Sequence, residues 1–425
     1  MASSSLISPQ KTVNEMKTSQ KIVSYLTILV GYFFYCYNFV IIDYVRPYLV
    51  ATYPEISLSD TAQFYTWQSA GTLIGALSCA SIATILGNKS TLIALTALNG
   101  GATMINLMFS QSIPWLIMRF IVGFALGGYF TIAVSMIITL FAAEVRGKLI
   151  AFASSMFSVA LVVIGTYAAF ISRVEAPWQG LMWLGGFPPL VTAALMIFIF
   201  PKDKPVSVSP DKAATPPTEQ GSWGAMFQGS TLRLTILCLL LAGLNFYCYQ
   251  FFNGFVTTYL KEVRQFDGAT IGLIFSISAL GSLLGAWVWG AIADQYGRKV
   301  NAFGFILAGL MASVFFMAPN NVMISGINLL AILGLIYNFC LSSSAIFGGY
   351  FSELFPPHLR NFGASLFHGG RAIGMWAPIV LIFIKDRTDL TTAMWGSPLI
   401  LILAGLLWLL LPETLENGIF YTPKK

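Results

Sequence analysis

The chain has 425 residues, of which 56% are hydrophobic and only 9% charged, with a net charge of +6. About a quarter of the residues in an ordinary soluble domain are charged, so this composition excludes a water-facing globular surface. At roughly 20 residues per crossing there is room for about twelve apolar segments, which is the pattern of an all-α polytopic membrane protein.

Residues 1–21 are polar, and no short apolar stretch with a small-residue cleavage site precedes the first long segment, so no removed leader is expected. Apolar spans are predicted at 22–44, 62–86, 91–110, 114–142, 149–172, 180–200, 233–258, 269–293, 300–318, 322–350, 362–384 and 394–411. Residues 201–232 form the only long hydrophilic interruption, rich in Ser, Pro, Lys and Asp, and read as a flexible linker. The expected organisation is therefore an N-terminal tail (1–21), a six-helix bundle (22–200), a linker (201–232), a second bundle (233–411) and a C-terminal tail (412–425). With both termini on one side, fifteen Lys and Arg fall in the loops of that side and six in the opposite loops. By the positive-inside rule this puts both termini in the cytoplasm; the excess charge reports topology and implies no nucleic-acid partner. All five cysteines (Cys36, Cys79, Cys238, Cys248 and Cys340) lie in apolar segments, so neither a disulfide framework nor a metal site is expected.

Phe34-Tyr35-Cys36-Tyr37-Asn38-Phe39 in the first span returns as Phe246-Tyr247-Cys248-Tyr249-Gln250-Phe251 in the seventh, an offset of 212. A second match, Gly71-Thr72-Leu73-Ile74-Gly75-Ala76 with Gly281-Ser282-Leu283-Leu284-Gly285-Ala286, has an offset of 210 and brings Lys89 onto Lys299. The two halves thus look like copies. Small residues four apart let membrane helices approach closely, which is the ordinary reading of the glycine pairs. Tyrosine hydroxyls and a carboxamide inside an apolar helix are costly in lipid unless they face a cavity or a neighbouring helix. Either they join helices, or they line a central site between the repeats, formed by Tyr35, Asn38, Tyr247 and Gln250. Asn245, Asn253, Tyr129, Tyr337 and Asn338 are further candidates for such a lining.

None of the seventeen acidic residues falls in the middle of a predicted span; Asp43 comes nearest, at the outer end of the first. Arg119 and Arg371 lie within spans with no obvious carboxylate at their depth. A charge at the bilayer centre costs at least about 2.5–3.5 kcal/mol on insertion scales, so each needs compensation. Helix carbonyls, tyrosine faces or snorkelling are the structural solutions, and an anionic ligand is the functional one. His368, one turn before Arg371, and Asp43 are the groups available to carry a proton. Glu144, Arg146, Asp294, Arg298, Glu353 and Arg360 sit at cytoplasmic helix ends and are expected to form a salt-bridge gate between the halves.

Gly290-Ala291-Ile292-Ala293-Asp294-Gln295-Tyr296-Gly297-Arg298-Lys299 resembles the signature loop of the major facilitator superfamily. Arg119-Phe120-Ile121-Val122-Gly123 and Glu144-Val145-Arg146-Gly147 agree with it. Glu353-Leu354-Phe355-Pro356 and Pro412-Glu413-Thr414-Leu415 look like the branch of sugar porters, aromatic-acid/proton symporters and organic-ion transporters. The first-half copy of the loop departs, with Thr84 where Asp is usual and Asn88 where Arg is. The resemblance implies twelve transmembrane helices in two pseudo-symmetric bundles and secondary transport by alternating access. It also aligns Arg371 with an anion-holding arginine of organic-anion transporters. Proton-coupled relatives carry Asp near Asn38, which cannot titrate.

The expected partners are a small organic anion, a proton as co-substrate and the lipid bilayer, with the protein a monomer of a bacterial inner membrane. No cofactor is implied, because the chain has no phosphate-binding glycine loop. The alternatives are an uncoupled facilitator or exporter of a polar metabolite and a non-transporting nutrient sensor on the same fold. No nucleophile–base pair or metal cluster supports an enzyme.

Overall fold

The computed structural model describes residues 17–141, 143–171, 177–200, 223–229, 231–416 and 419–420. Residues 201–222 and 230 of the predicted linker lie outside them; a short helix, Trp223–Met226, precedes the second half. In lipid every backbone polar group must bond internally, so apolar segments of this length become helices. Helices 1 to 4 are Thr18–Thr52, Leu58–Leu86, Asn88–Asn106 and Ser112–Leu140. Helix 5 comes in two pieces, Ala143–Ser154 and Met156–Ile171, and helix 6 is Pro177–Ile199. Helix 7 runs Thr231–Phe252 and, after a break at 253–255, resumes as Val256–Thr258 and Tyr259–Val263. Helix 8 is Gly268–Tyr296 and helix 9 Ala302–Met317. Helix 10 is assembled from Leu329–Leu341, Ser342–Ile346 and Phe347–Glu353. Helix 11 consists of Arg360–Gly369, Arg371–Gly374 and Ala377–Lys385, and helix 12 is Gly396–Leu409, entered through Leu390–Met394. Ten of these stretches are long and apolar enough to cross a membrane by composition; helices 2 and 3 complete the set of twelve.

The duplication is visible in the backbone. Gly87 ends helix 2 at φ 85° and Gly297 ends helix 8 at φ 98°, a left-handed conformation that glycine adopts without steric cost. A Cβ on Gly71 would strike the Phe120 carbonyl at 2.2 Å, and one on Gly281 the Leu335 carbonyl at 2.0 Å. Gly75 and Gly285 repeat this one turn on, against Phe124 and Phe339. Helices 2 and 4 therefore pack backbone to backbone, as do helices 8 and 10, at the shared offset of 210. The four-residue spacing is what makes both contacts.

Between the halves, helix 5 meets helix 8 as closely, since a Cβ on Gly165 would lie 2.6 Å from the Ser276 nitrogen. Thr166 Oγ1 and Ser276 Oγ share a hydrogen bond of 2.9 Å there. Helix 2 joins helix 11 through Thr66 Oγ1, which donates to the Met375 carbonyl at 2.8 Å. An even number of crossings returns both chain ends to one face, here termed the terminus side. Among the described residues, the side-chain hydrogen bonds between the halves fall in the half of the bundle away from it.

Helix 1 corrects the predicted span. It continues to Thr52 with Pro47 inside it, where the sequence suggested an end near residue 44. Asp43 thus sits about 13 Å of helix from the end rather than at the rim, and Arg46, assigned to a loop, lies within the bundle at 0% exposure.

Candidate functional site

Helix 11 passes close to helix 7 because of its glycines. A Cβ on Gly370 would meet Ala242 and Gly243 at 2.5–2.6 Å, and one on Gly374 would meet Phe246 Cβ at 2.3 Å. This contact carries Arg371 to the boundary of the two halves. Its guanidinium lies over the Phe39 ring of helix 1 and over the Phe246 ring of helix 7, 4.5 Å from each centroid. The residue is 7% exposed, and Nε and Nη1 have no hydrogen-bond partner among the described residues. Aromatic faces stabilise a cation by about 0.5–2 kcal/mol each but leave its N–H edge free. Tyr32, Tyr35, Tyr65, Tyr249 and His368 lie within its electrostatic reach. His368 also faces Phe130 of helix 4 across the halves, with ring centroids 6.3 Å apart.

Farther along helix 1, Asp43 Oδ1 accepts from Arg46 Nη2 at 3.3 Å and Oδ2 from Gln250 Nε2 of helix 7 at 3.4 Å. Asp43 is 1% exposed, and the Arg46 guanidinium stacks on Phe255 at 3.8 Å. Tyr65 and Tyr249 are in electrostatic reach of both Asp43 and Arg371, so the two charged sites flank one tyrosine-lined region.

The repeated hexapeptide does not present the same face twice. Asn38 Nδ2 donates to Asn99 Oδ1 at 3.0 Å and to the Gly185 carbonyl at 2.7 Å, joining helices 1, 3 and 6 within the first half. Tyr37 likewise donates to Leu181, whereas Gln250 reaches across to the other half. The reason is register. Two residues turn a helix by about 200°, and 212 differs from the packing offset of 210 by two. At 210, Cys36, Phe39 and Asp43 pair with Phe246, Tyr249 and Asn253, and all six lie on inward faces. Tyr35 stays on that face, stacked on Tyr32 at 4.9 Å. Tyr247 is turned about 100° off it and stacks on Phe251; Tyr249 is the inward tyrosine that the hexapeptide alignment hides.

Asn253 and Asn338 border a small pocket with Leu161, Phe252 and Phe275, and Asn338 Nδ2 donates to the Gly334 carbonyl at 3.1 Å. Tyr129 donates to the Ile28 carbonyl, Tyr337 stacks on Phe252, and Asn245 is buried in helix 7. Arg119 is fully buried and does not snorkel. At 0% exposure, it donates to Asn106 Oδ1 from Nη2 (2.7 Å) and Nε (3.1 Å) in the amide orientation that satisfies both groups.

Of the residues expected to form the gate, Asp294, Arg298 and Glu353 form a clamp within the second half. Arg298 Nη1 donates to Asp294 at 2.7 Å, while Nη2 and Nε fork Glu353 at 2.6 and 3.0 Å. Glu413, assigned to a tail, accepts from the backbone N–H groups of Arg298 and Lys299 at 2.8 and 2.9 Å, and Thr414 Oγ1 donates to Glu353. Asp294, Arg298 and Glu353 thus link helices 8 and 10 around the loop that leads into helix 9. Arg360 is exposed at the start of helix 11, and the side chains of Glu144 and Arg146 lie outside the described residues. In the first half Lys89 Nζ holds the end of helix 6, donating to Ile197 and Phe200 carbonyls at 2.8 Å.

A family model described as Major Facilitator Superfamily matches residues 26–378 and 235–420. The chain belongs to this superfamily. It is 25% identical to the niacin transporter NiaP of Acinetobacter baylyi, over 75% of this chain and 77% of the relative. It is 23% identical to the sialic acid transporter NanX of Escherichia coli (68% and 70%) and 23% identical to the 4-hydroxybenzoate transporter PcaK of Acinetobacter baylyi (73% and 74%). Among solved structures, the inward-open xylose transporter XylE from E. coli superposes with TM-score 0.71 at 16% identity, covering 93% of this chain and 98% of that one. A bacterial homologue of the human lysosomal transporter Spinster gives the same score at 15% identity, covering 93% and 97%. This major facilitator is a multi-pass membrane transporter, not an enzyme.

Proposed function

We propose that the protein moves a small organic monoanion by alternating access, with Arg371 holding the carboxylate. The observation that carries this reading is the Arg371 guanidinium, desolvated between Phe39 and Phe246 with two unpartnered donors. A carboxylate is the ligand that guanidinium binds through paired hydrogen bonds, and low dielectric strengthens the contact. Charge supports a single negative charge on the substrate. Asp43 is paired with Arg46, which leaves Arg371 as the uncompensated cation of the region. The relatives named for niacin, 4-hydroxybenzoate and sialic acid agree with an organic acid.

Binding is the direct test. In purified protein, Arg371→Ala should abolish stabilisation by carboxylic acids while leaving the helical signal intact. Arg371→Lys should recover little, because an ammonium cannot fork a carboxylate. An Arg371→Ala protein that binds within threefold of the parent would overturn the reading.

Proton coupling belongs to the same proposal, with Asp43 as carrier. It is the carboxylate at membrane depth that touches both halves, whereas His368 contacts Phe130 and Phe367 and lies beside Arg371. The Asp43–Arg46 pair also fits a second reading, in which Asp43 only closes the gate and transport is uncoupled. Both termini are then cytoplasmic, and the joined half of the bundle faces outward.

A further inference from the structure

We propose that Pro47 turns the far end of helix 1 into a backbone latch: it frees the Asp43 carbonyl for Thr257 of the other half, and this bond holds the far side of the transporter shut. In an α-helix the carbonyl of residue 43 accepts from the N–H of residue 47. Proline has no N–H, and its ring pushes against that same carbonyl. A buried carbonyl without a partner is costly, so it must be satisfied from elsewhere. Thr257 supplies the donor: its Oγ1 lies 2.7 Å from the Asp43 oxygen, and both residues are buried.

The geometry that aims Thr257 is also local. Helix 7 breaks at 253–255, and the Gly254 N–H reaches back to the Tyr249 carbonyl. The last residue of the break, Phe255, then lies beneath Arg46, and the segment after it presents Thr257 beside Asp43. One turn on, Lys261 Nζ donates to the Pro47 carbonyl at 3.1 Å and sits 4.3 Å over the Tyr48 ring. A proline in one half and a threonine in the other thus form a contact that neither span contains alone. Thr257 is in this sense a positioning residue: when the halves part, the Asp43 carbonyl loses its donor.

Cross-linking tests the latch without any substrate, so its outcome is independent of the anion reading. Thr166 and Ser276 face each other across the halves, and a Thr166→Cys/Ser276→Cys pair reports closure of the far side. In full-length protein in nanodiscs, Thr257→Val should slow disulfide formation about fivefold, as expected for one neutral hydrogen bond. Thr257→Ser, which keeps the hydroxyl, should restore the parental rate. In a Pro47→Ala background, where an N–H again reaches residue 43, Thr257→Val should slow it less than twofold. Parental cross-linking in Thr257→Val would overturn the proposal, as would failure of Thr257→Ser to restore it. A full fivefold effect of Thr257→Val in the Pro47→Ala protein would do the same, since the hydroxyl would then act without the freed carbonyl.

Discussion

Two amides in equivalent-looking places do different work. Asn38 holds two acceptors inside the first half, so Asn38→Ala strands the Gly185 carbonyl and the Asn99 oxygen in the interior. A cost of about 1–3 kcal/mol is expected. It should appear as a lowered midpoint in thermal unfolding of detergent-solubilised protein, with ligand affinity within threefold of the parent. Gln250 joins Asp43 across the halves, so Gln250→Ala should change the ratio of exchange to net uptake in proteoliposomes while shifting the midpoint less than Asn38→Ala. The reverse pattern would return Asn38 to the binding site. Arg119 shows how a lone cation is carried inside a bundle: one asparagine oxygen accepts two of its donors, and the cost of burial is borne by packing.

At the scale of elements, the C-terminal strap is an anion seat at a helix start. Burial alone would raise the Glu413 carboxyl, but backbone N–H groups of Lys299, Arg298, Thr414 and Leu415 hold it below its ordinary value of 4.5. A carboxyl whose folded pKa is depressed contributes stability above the unfolded value and loses it as pH falls through the folded one. Glu413→Gln should therefore cost about 1–2 kcal/mol at neutral pH. The gap from the parent should close below about pH 4, where the parent protonates as well. Equal midpoints at neutral pH would show the strap to be ornamental. The glycine pairs admit no larger residue, since a Cβ added to Gly281 or Gly71 would lie about 2 Å from a carbonyl. Gly281→Leu should separate helices 8 and 10 and prevent purification of monodisperse protein, whereas Gly290→Leu, with open space around it, should be tolerated.

For the whole molecule the question is energy. An anion entering a negative-inside cell works against about 2.3 kcal/mol per charge for each 100 mV, so accumulation calls for a co-transported cation. With Asp43 as carrier, Asp43→Asn should abolish accumulation in energised vesicles and retain exchange of labelled substrate. A protonophore should have the same effect on the parent. Accumulation that is indifferent to the protonophore would establish the uncoupled reading. In the proposed alternating cycle this conformer would be the one closed on the far side, and the tyrosines between Asp43 and Arg371 would be the region that changes sides.

What the sequence determined by itself were quantities that depend on composition and period. Charge scarcity and segment length dictate twelve helices, because lipid permits no other use of such segments. Glycines at a fixed offset dictate the duplicated packing, because a backbone contact tolerates only glycine. Arg371 stood out because a charge at membrane depth is costly wherever it sits. Tertiary structure decided which face each helix turns inward, and this is where the hexapeptide misled: a two-residue slip is invisible in an alignment yet rotates a side chain by about 200°. It also decided which residues lie inside. The apolar run suggested an end near residue 44, but helix 1 continues through Pro47, with helix 7 supplying the missing donor, and Asp43 and Arg46 are buried. Likewise the Phe39–Arg371–Phe246 stack joins three spans distant in the chain, and only the packing of helix 11 on helix 7 brings them together.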